Sequence, residues 1–426
     1  MLNSNTNLEE LYLPSCVSLY SSAVSGATNL RIVELPVVDE LTKSAFYKCT
    51  SLTKINFPNC GTTTLYGIGT QAFDGCTSLK EVYLPQIKSM NAFAFRSCPI
   101  EIFYAPMLAG QHSSNPFTSV TTLKNVTTGH ATIPGWSTHW KNLEYYSNSV
   151  ATSAAEAAFY GCSFLDEEGF YVPNLAVATA ANVFRGTGFT EITPEVFPAL
   201  SGTLGNYAFY TCPNLKSVHL SLITSTGNRA FANCPNLEYV KLDNVTAMYT
   251  NASYPAFVGC TSLKEVHLPA YSGNIVSNWL NGLTALEVVD IPLTKVVTAN
   301  AFKGCTALSK VSFPNLTTIQ GNAFSGCTSL EEVEIGTKEV ATALTLSTNA
   351  FLNCASLKEL TIYYSSVATL ANSSTIFNGT GITSTTGSIY VPANLLNTYK
   401  AATNWSNYKN RIFPYDAIIF SIRGTS

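Results

Sequence analysis

AFDGCTSLKEVYLP, residues 72–85, returns three more times in nearly the same form: AFVGCTSLKEVHLP at 256–269, AFKGCTALSKVSFP at 301–314 and AFSGCTSLEEVEI at 323–335. The common rule is A-F-x-x-C-x-x-L-x-x-V-x-L, usually closed by Pro. Weaker copies keep Phe46, Phe95, Phe159, Phe184, Phe209, Phe231, Phe351 and Phe377 at the aromatic position. Substituted copies place Leu280 and Leu283, or Val24 and Ala27, where Phe and Cys would stand, and Leu2, Leu8, Leu11 and Leu13 mark an earlier one. The markers fall 22 to 27 residues apart almost throughout. The wide gap between Phe117 and Phe159 has room for a degenerate copy around Trp136 to Tyr146.

A fixed period of this length is the signature of a solenoid. One copy cannot bury its own Phe, Leu, Val and Leu, whereas stacked copies bury one another's. Each copy carries a short alternating run such as Val266-His267-Leu268, the period-2 mark of a strand. The expected organisation is a continuous array of about seventeen coils over residues 1–388, irregular around 117–158. A cap over 389–426 should follow, because an open solenoid end leaves strand edges and core exposed. Its helix should place Leu395, Leu396, Tyr399 and Ala402 on one face.

Leu8-x-x-Leu11-x-Leu13-x-x-Cys16 and Leu308-x-x-Val311-x-Phe313-x-x-Leu316 resemble the leucine-rich-repeat strand pattern. With the A-F-x-x-C segment, nearly the whole chain resembles the BspA-like class of bacterial surface leucine-rich repeats, and the terminal segment is similar to that of relatives from gut Gram-positive bacteria. The resemblance implies a leucine-rich-repeat solenoid, a right-handed, β-rich superhelix with a parallel sheet on one face and short non-strand segments on the other. It departs from ordinary leucine-rich repeats where Val38, Ile87, Leu108 and Leu316 replace the usual Asn, so a buried asparagine ladder should be absent or partial.

Composition narrows the function. Apolar residues make up 46% and charged residues 12%, the latter well below the ~25% of ordinary soluble domains. The remainder is rich in Thr, Ser, Asn and Gly, which suits an extracellular or cell-surface setting. The net charge of −3 comes without a basic stripe, which argues against nucleic acid. No apolar run approaches the ~18 residues of a membrane span, and MLNSNTNLEE shows no visible signal peptide.

Twelve cysteines invite disulfide or metal chemistry. Ten occupy the A-F-x-x-C position, Cys16 and Cys60 follow a strand, and no C-x-x-C pair exists, so the zinc signature is missing. Small buried thiols in a stacked ladder are expected. His219 and His267 sit two coils apart, too far to share a metal; His112, His130 and His139 read as solvated loop histidines. Gly67-Ile68-Gly69 lies between coils and reads as a turn rather than a dinucleotide loop. The N-x-[ST] triplets at Asn125, Asn244, Asn251 and Asn315 read as chance. No metal, cofactor or catalytic set is expected.

What varies is the outward strand position: Tyr12, Glu34, Asn56, Tyr83, Tyr104, Tyr171, His219, Lys241, His267, Asp290, Ser312, Glu334, Thr361 and Tyr390. Two patches are candidates for a binding face. Tyr83 and Tyr104, with Ile32, Ile102 and the more distant Tyr171, make an aromatic platform suited to recognition. Tyr239, Lys241, Glu265, His267 and Asp290 mix charges that can satisfy one another. The expected function is a non-catalytic adhesion module, a monomer without membrane insertion, binding a host extracellular protein or glycan. The rival readings are a spacer or stalk on a cell or phage particle, and a glycan-active enzyme using Glu265 with Asp290.

Overall fold

The computed structural model describes residues 2–62, 67–110, 115–136, 140–249, 255–337, 343–371, 375–384 and 386–415. The chain forms two compact units, Met1–Leu200 and Ser201–Ser426. Each is a stack of parallel coils. Among the described residues the first carries nine principal strands and the second eight, the expected seventeen.

The coil has three sides, and each side bonds to its neighbour in most coils. The principal strands are three to four residues long in most coils and pair in register, as Glu10–Tyr12 with Ile32–Glu34 in the first unit and Lys310–Phe313 with Glu332–Ile335 in the second. A second parallel ladder follows the Pro turn, which the repeat pattern alone did not suggest. Val296–Val297, Thr318–Ile319, Thr345–Leu346 and Thr369–Leu370 form one such ladder. In the first unit, Ile68 carries it by single bridges to Leu41 and Met90. The Gly67-Ile68-Gly69 turn is therefore also part of a ladder, and a Cβ on Gly69 would lie 2.6 Å from the Thr42 carbonyl carbon.

The A-F-x-x-C segment makes the third side from consecutive tight turns. Phe302 N–H donates to Ala323 O at 2.8 Å and Gly304 N–H to Ser325 O at 2.9 Å, so the turns also stack through hydrogen bonds. Two residues per turn segment adopt the left-handed region: Asn300 and Gly304 have φ of 60° and 76°. Gly takes that conformation freely and Asn tolerates it. That cost explains the Asn and Gly of N-A-F-x-G-C in the copies at 301 and 323.

Inside, the aromatic position stacks ring on ring. Phe73 lies 5.2 Å from Phe95 at 2° in the first unit, and Phe302 lies 5.0 Å from Phe324 at 5° in the second. The coil expected between Phe117 and Phe159 exists, with the strand Tyr145–Ser147 and with Trp140 at the Cys position of the copy, its ring 6.0 Å from that of Phe159. Cysteine serves beside the rings. Cys98 Sγ donates to Phe73 O at 3.0 Å and Cys327 Sγ to Phe302 O at 3.1 Å, closing a carbonyl one coil earlier. All twelve thiols are free and eleven are buried; Cys16, in the first described coil, is half-buried. Burial pushes the Cys49 thiol up to about 11 and those of Cys162 and Cys260 to about 12.

Asparagine works mostly at a corner; inside, Asn148 is fully buried, its Nδ2 donating to His130 O at 3.0 Å. The apolar Val38, Ile87, Leu108 and Leu316 are buried. The Asn one residue before this position donates across coils: Asn59 Nδ2 to Pro36 O at 2.7 Å, Asn174 to Ser149 O at 2.7 Å, Asn244 to Ser221 O at 2.6 Å and Asn315 to Pro292 O at 3.0 Å. Asn244 and Asn315 thus have a structural use; Asn251 lies outside the described residues.

The C-terminal segment covers the last coil. The helix Leu396–Ala401 buries Tyr399, with Leu395, Leu396 and Ala402 half-buried beside it. Tyr399 accepts from Ala368 N–H at 3.0 Å, and Asn404 Nδ2 donates to Leu370 O at 2.8 Å, satisfying the end of the second ladder. The strand Ile412–Pro414 extends the principal sheet beside Ser388–Val391. No helix among the described residues is long and apolar enough to cross a membrane.

Candidate binding face

The principal strands set the outward side chains in columns one coil apart, about 4.8 Å. In the first unit Tyr83 faces Tyr104 in register, and Tyr104 faces Thr127. The column continues through Ser147 to Tyr171. Tyr83 and Tyr104 are 48% and 40% exposed, with ring centroids 6.3 Å apart at a 40° tilt. Ile102 is half-buried beside them, and Tyr171 is 55% exposed. The platform therefore forms from Tyr83, Tyr104 and Ile102. Ile32 lies on an earlier strand, in a separate sheet of the same unit. Thr127 and Ser147 leave a low stretch before Tyr171, which the gap in the repeat concealed.

In the second unit the register brings Tyr239 opposite Glu265 and Lys241 between His219 and His267. His267 faces Asp290. These groups consume one another. His267 Nε2 lies 3.1 Å from Glu265 and Nδ1 3.5 Å from Asp290, while Lys241 and His219 bind Asp243 at 3.3 Å and 2.9 Å. The Tyr239 ring stands 5.5 Å from the His267 ring. The carboxylates of Glu265 and Asp290 thus flank one imidazole on the sheet face.

Two outward assignments change. Thr361 is only 4% exposed. It lies between Glu334 and Tyr390 in register, and its short side chain is shaded by both. His130 is not solvated but fully buried. Its ring meets the Trp136 ring edge-on at 5.3 Å, and neither nitrogen has a hydrogen-bond partner among the described residues. Desolvation lowers its pKa to about 4, so it is neutral at pH 7. His112 and His139 lie outside the described residues. Among those residues no cluster of three or more His, Cys, Asp or Glu is placed to hold a metal.

The principal sheet of the first unit is also interrupted. The strands through Lys54–Asn56 belong to one sheet and those from Glu81–Tyr83 onward to another. An open groove of about 410 Å³ lies at this break. Ile55 is 8% exposed there, whereas its counterparts Val33 and Val82 are fully buried.

Stacked parallel coils around a leucine and phenylalanine core define a leucine-rich-repeat solenoid, a class whose repeat surfaces serve as binding scaffolds. Residues 2–124, 39–166, 177–306 and 274–407 match the BspA type leucine rich repeat region, and the chain belongs to that family. No curated protein matches the sequence. The structure is similar to that of a leucine-rich repeat protein from Bacteroides ovatus, at 21% identity over 86% of this chain and 92% of that one, with a TM-score of 0.47. It is also similar to a leucine rich cell surface protein from Faecalibacterium prausnitzii, at 20% identity over 77% and 87%, with a TM-score of 0.36. A leucine-rich repeat protein from Eubacterium ventriosum aligns at 16% identity over 87% and 88%, with a TM-score of 0.31.

Proposed function

We propose that the chain is a non-catalytic recognition module of a bacterial cell-surface or secreted protein, binding a host protein or glycan through its sheet face as a monomer. The observation that carries this reading is the exposed Tyr83–Tyr104 pair on a rigid strand floor, flanked by Ile102. Tyrosine offers a ligand apolar area and a hydroxyl at small cost in side-chain entropy. Against catalysis stands the state of Glu265 and Asp290, both engaged by His267 on an open face. Glycoside hydrolysis needs one carboxylate free to attack or activate water and another to protonate the leaving group.

Binding of the purified chain to an array of mammalian glycans and extracellular-matrix proteins tests the proposal. A specific ligand should lose affinity ten- to a hundredfold, about 1.4–2.8 kcal/mol, when Tyr83→Ala and Tyr104→Ala are combined. Unchanged affinity for a validated ligand removes this face from recognition. Attachment that survives deletion of two internal coils points to a spacer instead.

A further inference from the structure

We infer that the break between the strands Lys54–Asn56 and Glu81–Tyr83 is a subsite for a carboxylated sugar within a longer glycan. This rests on the sheet-face reading above and narrows its ligand to acidic glycans. The principal strands from Glu81–Tyr83 to Phe170–Tyr171 are paired in succession, as Glu81–Tyr83 is with Ile102–Ala105. Here the pairing stops, and the groove of about 410 Å³ falls within the ~300–1,000 Å³ of small-ligand sites.

The lining carries three kinds of group that a uronic-type sugar needs together. Ile55 at the floor and the Tyr83 ring at the rim supply apolar surface for the C–H face of a pyranose. Ser78 supplies a hydroxyl for its ring hydroxyls, and Thr53, whose hydroxyl donates to Arg31 O at 3.1 Å, keeps its oxygen as an acceptor for one. Lys54 and Lys80 bring an ammonium from each side of the break. Lys54 reaches Glu34 at 3.7 Å and Lys80 reaches Glu101 at 3.2 Å, with the two lysine side chains 63% and 67% exposed. Exposed pairs of this kind are worth little, so both ammoniums can turn to a ligand carboxylate at low cost. Glu81, also in the lining, is engaged by the Tyr83 hydroxyl at 3.4 Å.

The chemistry excludes simpler ligands. A neutral sugar leaves both lysines unused, and a lone phosphate leaves Ile55 and Tyr83 unused. The surface beyond the groove favours a polymer. Tyr83, Tyr104, Thr127, Ser147 and Tyr171 succeed one another at coil spacing. They form a track of about 19 Å, low in the middle and aromatic at both ends.

Calorimetry with a galacturonate tetrasaccharide and the neutral galactose tetrasaccharide tests this, using the full chain. The acidic sugar should bind at least tenfold more tightly than the neutral one. Combining Lys54→Gln with Lys80→Gln should abolish that preference and flatten its salt dependence. Lys264→Gln, an exposed lysine of the other unit, should change affinity less than twofold. Tyr83→Ala should weaken both sugars. Thermal melts of each variant within error of the parent show that folding is intact. Equal affinity for both sugars, or a preference that survives Lys54→Gln/Lys80→Gln, overturns the subsite and leaves the sheet-face reading standing. Failure of both sugars to bind, alongside a protein ligand that depends on Tyr83 and Tyr104, does the same. A validated ligand indifferent to Tyr83 and Tyr104 overturns both.

Discussion

The tyrosine patch of the first unit and the charged patch of the second are built on the same strand geometry and differ in how far their side chains are already satisfied. Around His267 the polar groups are paired with one another, Glu265 and Asp290 on the imidazole and Lys241 on Asp243. Tyr83 and Tyr104 present exposed rings, and the sheet beside them opens into a groove. Outward variation along a repeat is therefore not one signal. Some variable positions settle accounts within the sheet, and others leave surface that a partner can bury.

The largest effect should lie under both patches and be equal for each. Phe73→Ala, in the coil carrying Tyr83, and Phe231→Ala, in the coil carrying Tyr239, each delete a fully buried ring from a parallel stack. Each should cost about 3–5 kcal/mol in urea unfolding of its unit. A cost near zero at Phe73 alone would mean that the tyrosine patch stands on a looser floor, which would break the comparison.

Next in size is an acid sensitivity confined to the first unit. His130 is buried neutral with its pKa lowered to about 4. The unfolded chain binds the proton near pH 6.5, so stability is full above that pH and is lost as pH falls towards 4. The loss at pH 5 should be about 2 kcal/mol. His130→Phe should flatten the difference between unfolding midpoints at pH 8 and pH 5. Parallel losses in parent and variant would refute the assignment.

The smallest effect is expected at the charged patch itself. His267→Gln removes part-exposed contacts to Glu265 and Asp290 and should alter stability by about 1 kcal/mol or less, with ligand affinity changed less than twofold. A tenfold loss of affinity there would move recognition to the second unit and reverse the contrast.

Most of the fold was legible because the core is written as a repeat. Phe, Cys, Leu and Val recur at fixed offsets since each must meet its own counterpart one coil away. The degenerate coil around Trp140 was legible from spacing alone. Less visible was what backbone geometry assigns. The second ladder uses strands as short as two residues, such as Val296–Val297, too brief for a period to show. The corner hydrogen bonds of Asn59 and Asn315 hide in a composition rich in Asn and Thr. His130 misled for a related reason: a lone histidine in an irregular stretch gives no sign of whether loop or core surrounds it.

The sequence alone carried the family, the coil number and the outward column with Tyr83, Tyr104 and His267, because burial imposes a period on residue type. It could not say which outward residues spend their polar groups on each other, since that depends on register between residues some 22 to 27 positions apart. Nor could it show the break beside Tyr83, where Lys54–Asn56 and Glu81–Tyr83 fail to join one sheet. Both strands carry the ordinary pattern, Lys-Ile-Asn and Glu-Val-Tyr. A strand's own residues dictate which side is buried; whether its backbone reaches a neighbour is settled by how the connecting coil packs.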